Sequence, residues 1–204
     1  MKKVFFITFF IFFSFKVFSL EVTLTQGSVK PTPIAVTELY SKNSQLTKVG
    51  KNISTVISDN LERSGLFLPI DKRSFIQDNQ SLSNKPRFED WKLIKAQHLV
   101  SGKISSNNGK ISVEFRLYDV FQQKQIVGKK YETSEKNWRR VAHIISDSIF
   151  KNITGEGGYF DTRIVYVAET GPKENKQKRL AIMDQDQSNP VSYTHLRAHE
   201  TIAN

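Results

Sequence analysis

Thr154-Gly155-Glu156-Gly157-Gly158-Tyr159-Phe160-Asp161-Thr162-Arg163 separates two different sequence patterns. Before it, Trp138, Val141, Ala142, Ile145 and Ile149 repeat with the i, i+3, i+4, i+7 rhythm of a helix that buries one face. After it, Arg163-Ile164-Val165-Tyr166-Val167-Ala168 reads as a strand. The glycines between them allow backbone angles that other residues avoid, so the stretch makes a sharp and defined connection. Residues 155–162 are therefore read as a joint between two domains, with Gly155 ending the helix.

Upstream of the joint the chain alternates strand and helix signals. Ile34-Ala35-Val36 is a first core strand. From Val49 onward, Ile53, Val56, Ile57 and Leu61 share one helical face, closed by Gly65. Leu66 to Ile70 is a short strand that Pro69 keeps near a sheet edge. Asp78 to Pro86 reads as a loop, followed by a short helix starting at Pro86 and carrying Phe88, Trp91 and Ile94. Leu99-Val100 opens a β-meander. Its first hairpin turn is Asn107-Asn108-Gly109, and Ile111, Val113, Phe115 and Leu117 alternate with Ser112, Glu114, Arg116 and Tyr118 after it. Ile126 to Thr133 is the third strand, and Ser134 is the N-cap of the last helix. The order β-α-β-α-β-β-β-α over residues 34–154 predicts an α/β fold: a two-layer sandwich of helices on a mixed sheet.

Residues 1–19 read as an address rather than structure. Met1-Lys2-Lys3 is a basic start, Val4 to Phe15 is apolar, and Val17 and Ser19 suit a cleavage site before Leu20. The apolar run is shorter than the roughly 20 residues of a spanning helix. The expected compartment is outside the cytoplasm, and the chain has no cysteine, which excludes thiol chemistry and disulfides. The formal net charge of +10 includes three lysines of the address, and the other basic residues are dispersed. A nucleic-acid footprint would cluster them on one face.

Residues 20–33 are read as an arm. Glu21-Val22-Thr23-Leu24-Thr25 alternates polar and apolar ahead of a break holding Gly27, Pro31 and Pro33. Such an arm either pairs in the domain's own sheet or stays free to add as a strand to a partner. Beyond the joint, Leu180-Ala181-Ile182-Met183 is a second strand closed by Asp184-Gln185-Asp186, so residues 163–187 amount to half of a four-stranded propeller blade. Val191 to Thr201 has no blade periodicity and resembles translated adapter sequence, so 188–204 reads as a non-native tail. His195 and His199 lack acidic or Cys companions at ligand spacing. No catalytic, cofactor-binding or metal-ligating set can be named: the chain has neither a Gly-x-x-x-x-Gly-Lys nor a Gly-x-Ser-x-Gly run.

Several segments, in order, resemble the TolB family of the Tol–Pal envelope system. They are Pro33 to Val36, Ile57 to Phe67, Val113 to Val120, Arg140 to Asp147, and Thr154 to Ile164 running on to Asp186. The chain departs from the family at Gln187, where the family usually carries Gly. The resemblance implies an anticodon-binding-like α/β domain followed by the incomplete first blade of a β-propeller. It implies a non-enzymatic periplasmic scaffold that links inner-membrane TolA to outer-membrane Pal, for envelope integrity and constriction at cell division. It implies a TolA contact at Leu20, Glu21, Val22, Thr23, Leu24 and Thr25, with Pal docking on the propeller. It also implies an interdomain role for Gly155, Gly157, Gly158 and Phe160. The helical period points His143 away from the apolar stripe, which reads first as solvent exposure; the resemblance suggests instead a contact with the joint or the propeller. Two other classes stand beside this one: an exported or misassigned nucleic-acid-binding α/β domain, which the address segment opposes, and an exported enzyme for which no residue set can be named.

Overall fold

The computed structural model describes residues 30–83, 85–173 and 175–193. The address, the stretch Leu20–Thr25 and the end of the tail lie outside them. The first unit is a five-stranded mixed sheet in the order β2-β1-β3-β4-β5. Its strands are β1 (Thr32–Val36), β2 (Phe67–Pro69), β3 (His98–Asn107), β4 (Lys110–Asp119) and β5 (Lys124–Ser134). β1 runs parallel to β2 and β3, and the meander β3-β4-β5 is antiparallel. β2 sits at the edge, where Pro69 costs the sheet no central ladder bond.

Two long helices, α1 (Ser44–Arg63) and α4 (Trp138–Thr154), cover one face. α1 begins five residues before the apolar run from Val49, because Asn43 caps it through Gln45 N–H (2.9 Å) and Leu46 extends the buried stripe. Ile53, Ile57, Leu61, Ile145 and Ile149 are fully enclosed against Ile34, Val100, Phe115 and Leu117. These positions recur at helical and strand periods, so one set of side chains closes both layers.

The opposite face is not uniformly wet. Ala35, Leu99, Tyr118 and Val120 form a second cluster with Leu82, Trp91 and Ala96. They lie under two short helices, α2 (Asn79–Leu82) and α3 (Phe88–Leu93). The alternation in β4 assigned Tyr118 to the wet face; it is buried, with its ring edge-on to Phe88 at 5.8 Å. α2 occupies the stretch read as loop, capped by the Asp78 carboxylate accepting from Gln80 and Ser81 N–H. α3 starts after Arg87 rather than at Pro86. Ser134 does not cap α4 either. It remains paired with Lys110 in the ladder, and a 3-10 turn, Glu135–Asn137, precedes the helix.

The second unit is a three-stranded antiparallel sheet of β6 (Arg163–Thr170), β7 (Gln177–Asp184) and β8 (Val191–Tyr193). β8 comes from residues that the sequence placed past the blade. Its register puts Val191 beside Ile182 and Tyr193 beside Leu180, and Val165 and Val167 stand opposite the same two β7 residues. These six side chains share one face, and all but Ile182 are exposed. No helix among the described residues is long and apolar enough to cross a membrane.

The two tryptophans separate core from rim. Trp91 is 1% exposed and its Nε1–H donates to Gln77 Oε1, whereas Trp138, expected in the core, is only partly buried. Urea denaturation should show Trp91→Ala losing about 3–5 kcal/mol, the range for emptying an enclosed aromatic site, and Trp138→Ala losing distinctly less.

Candidate functional site

Beside the apolar stripe of α4 runs a polar one. Arg139, His143 and Asp147 are spaced i, i+4, i+8 and so lie one above another on the helix. Each meets something beyond the helix. Asp147 takes the joint: its carboxylate accepts from Phe160 N–H at 2.7 Å and Asp161 N–H at 3.1 Å. Arg140, one residue from the stripe, pairs with Asp161 at 3.2 Å. Arg139 and His143 take the turn between β7 and β8, where both face Asp186 Oδ2.

The joint is held from both ends. Gly155 caps α4 in the left-handed region at φ 81°. Phe160 is fully enclosed and packs edge-on to Phe150 at 5.8 Å, which meets Phe67 of β2 at 6.2 Å. Gly158 lies against α4, where an added Cβ would fall 2.2 Å from Asp147 Oδ1 and 2.5 Å from its Cα. Gly157 has open space around it, so the role assigned to it from sequence has no steric basis here.

His143 is 2% exposed, not turned to solvent. Its Nδ1 meets Asn60 Nδ2 at 2.9 Å. Asn60, on α1, is itself fully buried. Its second amide hydrogen goes to Ser146 Oγ at 3.0 Å, and its oxygen accepts from Arg63 Nη2 and from Gln185 Nε2 at 3.0 Å. Arg63 has only donors, so the amide atom it meets must be the oxygen. Asn60 therefore offers N–H to His143, Nδ1 is the acceptor, and the neutral ring carries its proton on Nε2. That proton points at Asp186 Oδ2, 3.6 Å away and beyond hydrogen-bond reach.

Burial lowers the His143 pKa from its ordinary 6.5; Asp186 and Asp184 oppose the shift and Arg139 adds to it. Burial works to raise the Asp186 carboxyl, but the Ser188 N–H it accepts and the nearby Arg139 and His143 outweigh it, leaving it below the usual value. His143, Asp184 and Asp186 bring three potential ligand atoms within 4.8 Å. Each of the three groups is already engaged: Asn60 meets the His143 ring at Nδ1. Arg139 already holds Asp186, and Arg163 and Asn189 hold Asp184. The arrangement tethers the β7–β8 turn to α1 and α4. His98, the other described histidine, opposes Asp119 in β3 and β4 and takes no part.

Comparison with known proteins agrees with this architecture. The family model of the TolB amino-terminal domain matches residues 20–126. The chain belongs to the TolB amino-terminal domain family. It is 50% identical over 171 residues to the Tol-Pal system protein TolB of Paramagnetospirillum magneticum, covering 83% of this chain and 38% of that relative. It superposes on the crystal structure of TolB from Acinetobacter baumannii with a TM-score of 0.67 at 24% identity, over 79% of this chain and 38% of that one. The match supports the fold, and the chain spans well under half the length of either relative. Gln187, where the resemblance leads one to expect Gly, adopts φ 66°, a region that glycine enters without steric cost.

Sequence reasoning missed Arg139, Asn60, Asp147, Gln185 and Asp186. A usable signal existed for two of these, since Arg139 and Asp147 share one helical line with His143. Gly158→Ala should destabilise the chain by about 1–3 kcal/mol, the usual cost of forcing an atom into a closed contact. Gly157→Ala should stay within about 0.5 kcal/mol. Equal shifts in thermal midpoint for the two variants would contradict the close approach of Asp147.

Proposed function

We propose that this chain is the amino-terminal part of a non-enzymatic periplasmic scaffold of the Tol–Pal system. The scaffold would connect inner-membrane TolA with outer-membrane Pal and support envelope integrity and constriction at division. The observation that carries the reading is the TolB family match from residue 20 to 126, which spans the arm and most of the α/β unit. The address segment supports export. The open sheet face argues against the nucleic-acid alternative: Lys103, Glu114 and Lys130 stand side by side across β3, β4 and β5, so the surface mixes signs.

TolA contact is assigned to Leu20–Thr25. The alternation of Val22 and Leu24 suits a segment that adds as a strand to a partner's sheet, with both side chains on one side. Pal is assigned to the propeller, of which residues 163–193 supply only the beginning. The exposed apolar face of β6, β7 and β8 fits a sheet that normally packs against further blades.

Ordering the arm costs roughly 1–2 kcal/mol per residue, so TolA affinity should be on the order of micromolar, about 8 kcal/mol in total. Calorimetric titration of the chain from Leu20 against the TolA C-terminal domain should show this binding. Removing Leu20–Thr25 should abolish it, and Pal should bind neither form. Unchanged TolA affinity after trimming rejects the arm assignment; tight Pal binding rejects the division of labour.

A further inference from the structure

The His143 tether joins the α/β unit to a turn that the chain connects to it only through the joint. Asn60 and Arg63 come from α1, Arg139 and His143 from α4, and Gln185 and Asp186 from the β7–β8 turn. Its central bond needs an imidazole lone pair at Nδ1. We propose that His143 is a proton-operated latch, in which protonation at Nδ1 breaks the bond to Asn60 and frees the Gln185–Asp186 turn from the α/β unit. The latch operates whichever partners the chain meets.

A proton on Nδ1 turns an acceptor into a donor, facing the donor Asn60 Nδ2–H. Asn60 has two responses. It can stay as it is and lose His143, leaving two N–H groups opposed. Or it can turn its amide over and offer Oδ1 to the ring; its nitrogen then faces the donors of Arg63 and Gln185, and the Gln185 bond is lost. The second route releases Gln185 and with it the turn; the first opens the contact between α1 and α4 on which the turn rests.

The charges around the ring do not all act the same way. Asp186 and Asp184 on the turn and Asp161 on the joint favour the charged ring. Burial and Arg139 disfavour it and prevail, and Arg63 stands on the far side of Asn60. Asp147, one turn along α4, is engaged by the joint backbone. Asp186 Oδ2, 3.6 Å from Nε2 and shared with Arg139, draws the charged ring towards the turn, but burial outweighs that attraction.

The closed ring gives up its proton more readily than a freed one with the ordinary value of 6.5. Closure is therefore fully supported above about pH 6.5, and that support is lost as pH falls towards the closed-state value. Over this window the closed-to-open ratio falls by up to about tenfold per pH unit.

Hydrogen exchange of the chain, corrected for the pH dependence of exchange chemistry, reads the latch at the amides of Gln185 and Ser188. These are bonded to Thr162 O and Asp186 Oδ1. From about pH 7.5 to about pH 5 their protection should fall while the α1 amides keep theirs. His143→Asn keeps an acceptor near Nδ1 and cannot take the proton, so its protection should be flat with pH. Flat wild-type protection overturns the proposal. So does an equal acid loss in H143N, which would assign the effect to the surrounding carboxylates. The His143 ring carbon shift in the wild type gives a readout independent of the variant's folding. Its midpoint must coincide with the loss of protection, and a separate midpoint overturns the latch.

Discussion

The buried amide of Asn60 is the constraint on which the arrangement of the two units rests. A fully enclosed side-chain amide has two donors and an acceptor oxygen, and each one left unpaired costs on the order of 1–3 kcal/mol. Here every one is used, by His143, Ser146, Arg63 and Gln185. Three of these partners belong to the α/β unit and one to the second sheet. The sheet is therefore held by a polar group that the α/β unit must satisfy, and not by apolar burial alone. This fixes orientation more tightly than a greasy contact would, because hydrogen bonds are directional and dispersion is not.

The same logic explains the joint. Water could have satisfied the backbone of an eight-residue connection, but here that backbone is tied to a helix carboxylate and an aromatic ring of the joint is enclosed. Asp147 fixes Phe160 from one side, and Phe150 and Phe67 fix it from the other. Gly158 belongs here because any side chain would hold the joint away from α4. The Asp147 carboxylate and the enclosed Phe160 ring together restrain the link between the α/β unit and the second sheet.

Most of the fold was legible because its core obeys two simple periods. The stripe of α4, the alternation of β4 and the hairpin at Asn108-Gly109 all follow from local spacing and turn chemistry. Three features escaped. Tyr118 was assigned to the wet face because alternation describes a strand with one covered side, and two short helices cover the other side of β4 locally. Ser134 has the right chemistry for a cap but stays in the β ladder, a tertiary preference that sequence does not display. The tether escaped because its members are scattered along the chain: Asn60 and Gln185 are 125 residues apart, and no local pattern links them. His143 stood out by sequence context, yet its period pointed off the stripe. A helix packed on two sides has two buried stripes, and the second one here is polar.

That separation has a kinetic side. The meander and its hairpins close short loops, and α1 and α4 each form from local contacts. The Asn60–Gln185 bond requires most of the chain to be in place first. Until then the amide of Asn60 and the ring of His143 lie open to water, and the α/β unit can assemble without its neighbour. The tether then forms as the final closure, when the β7–β8 turn arrives at a surface already shaped to receive it. A chain cut short before Gln185 would keep its core and lose the partner that completes Asn60.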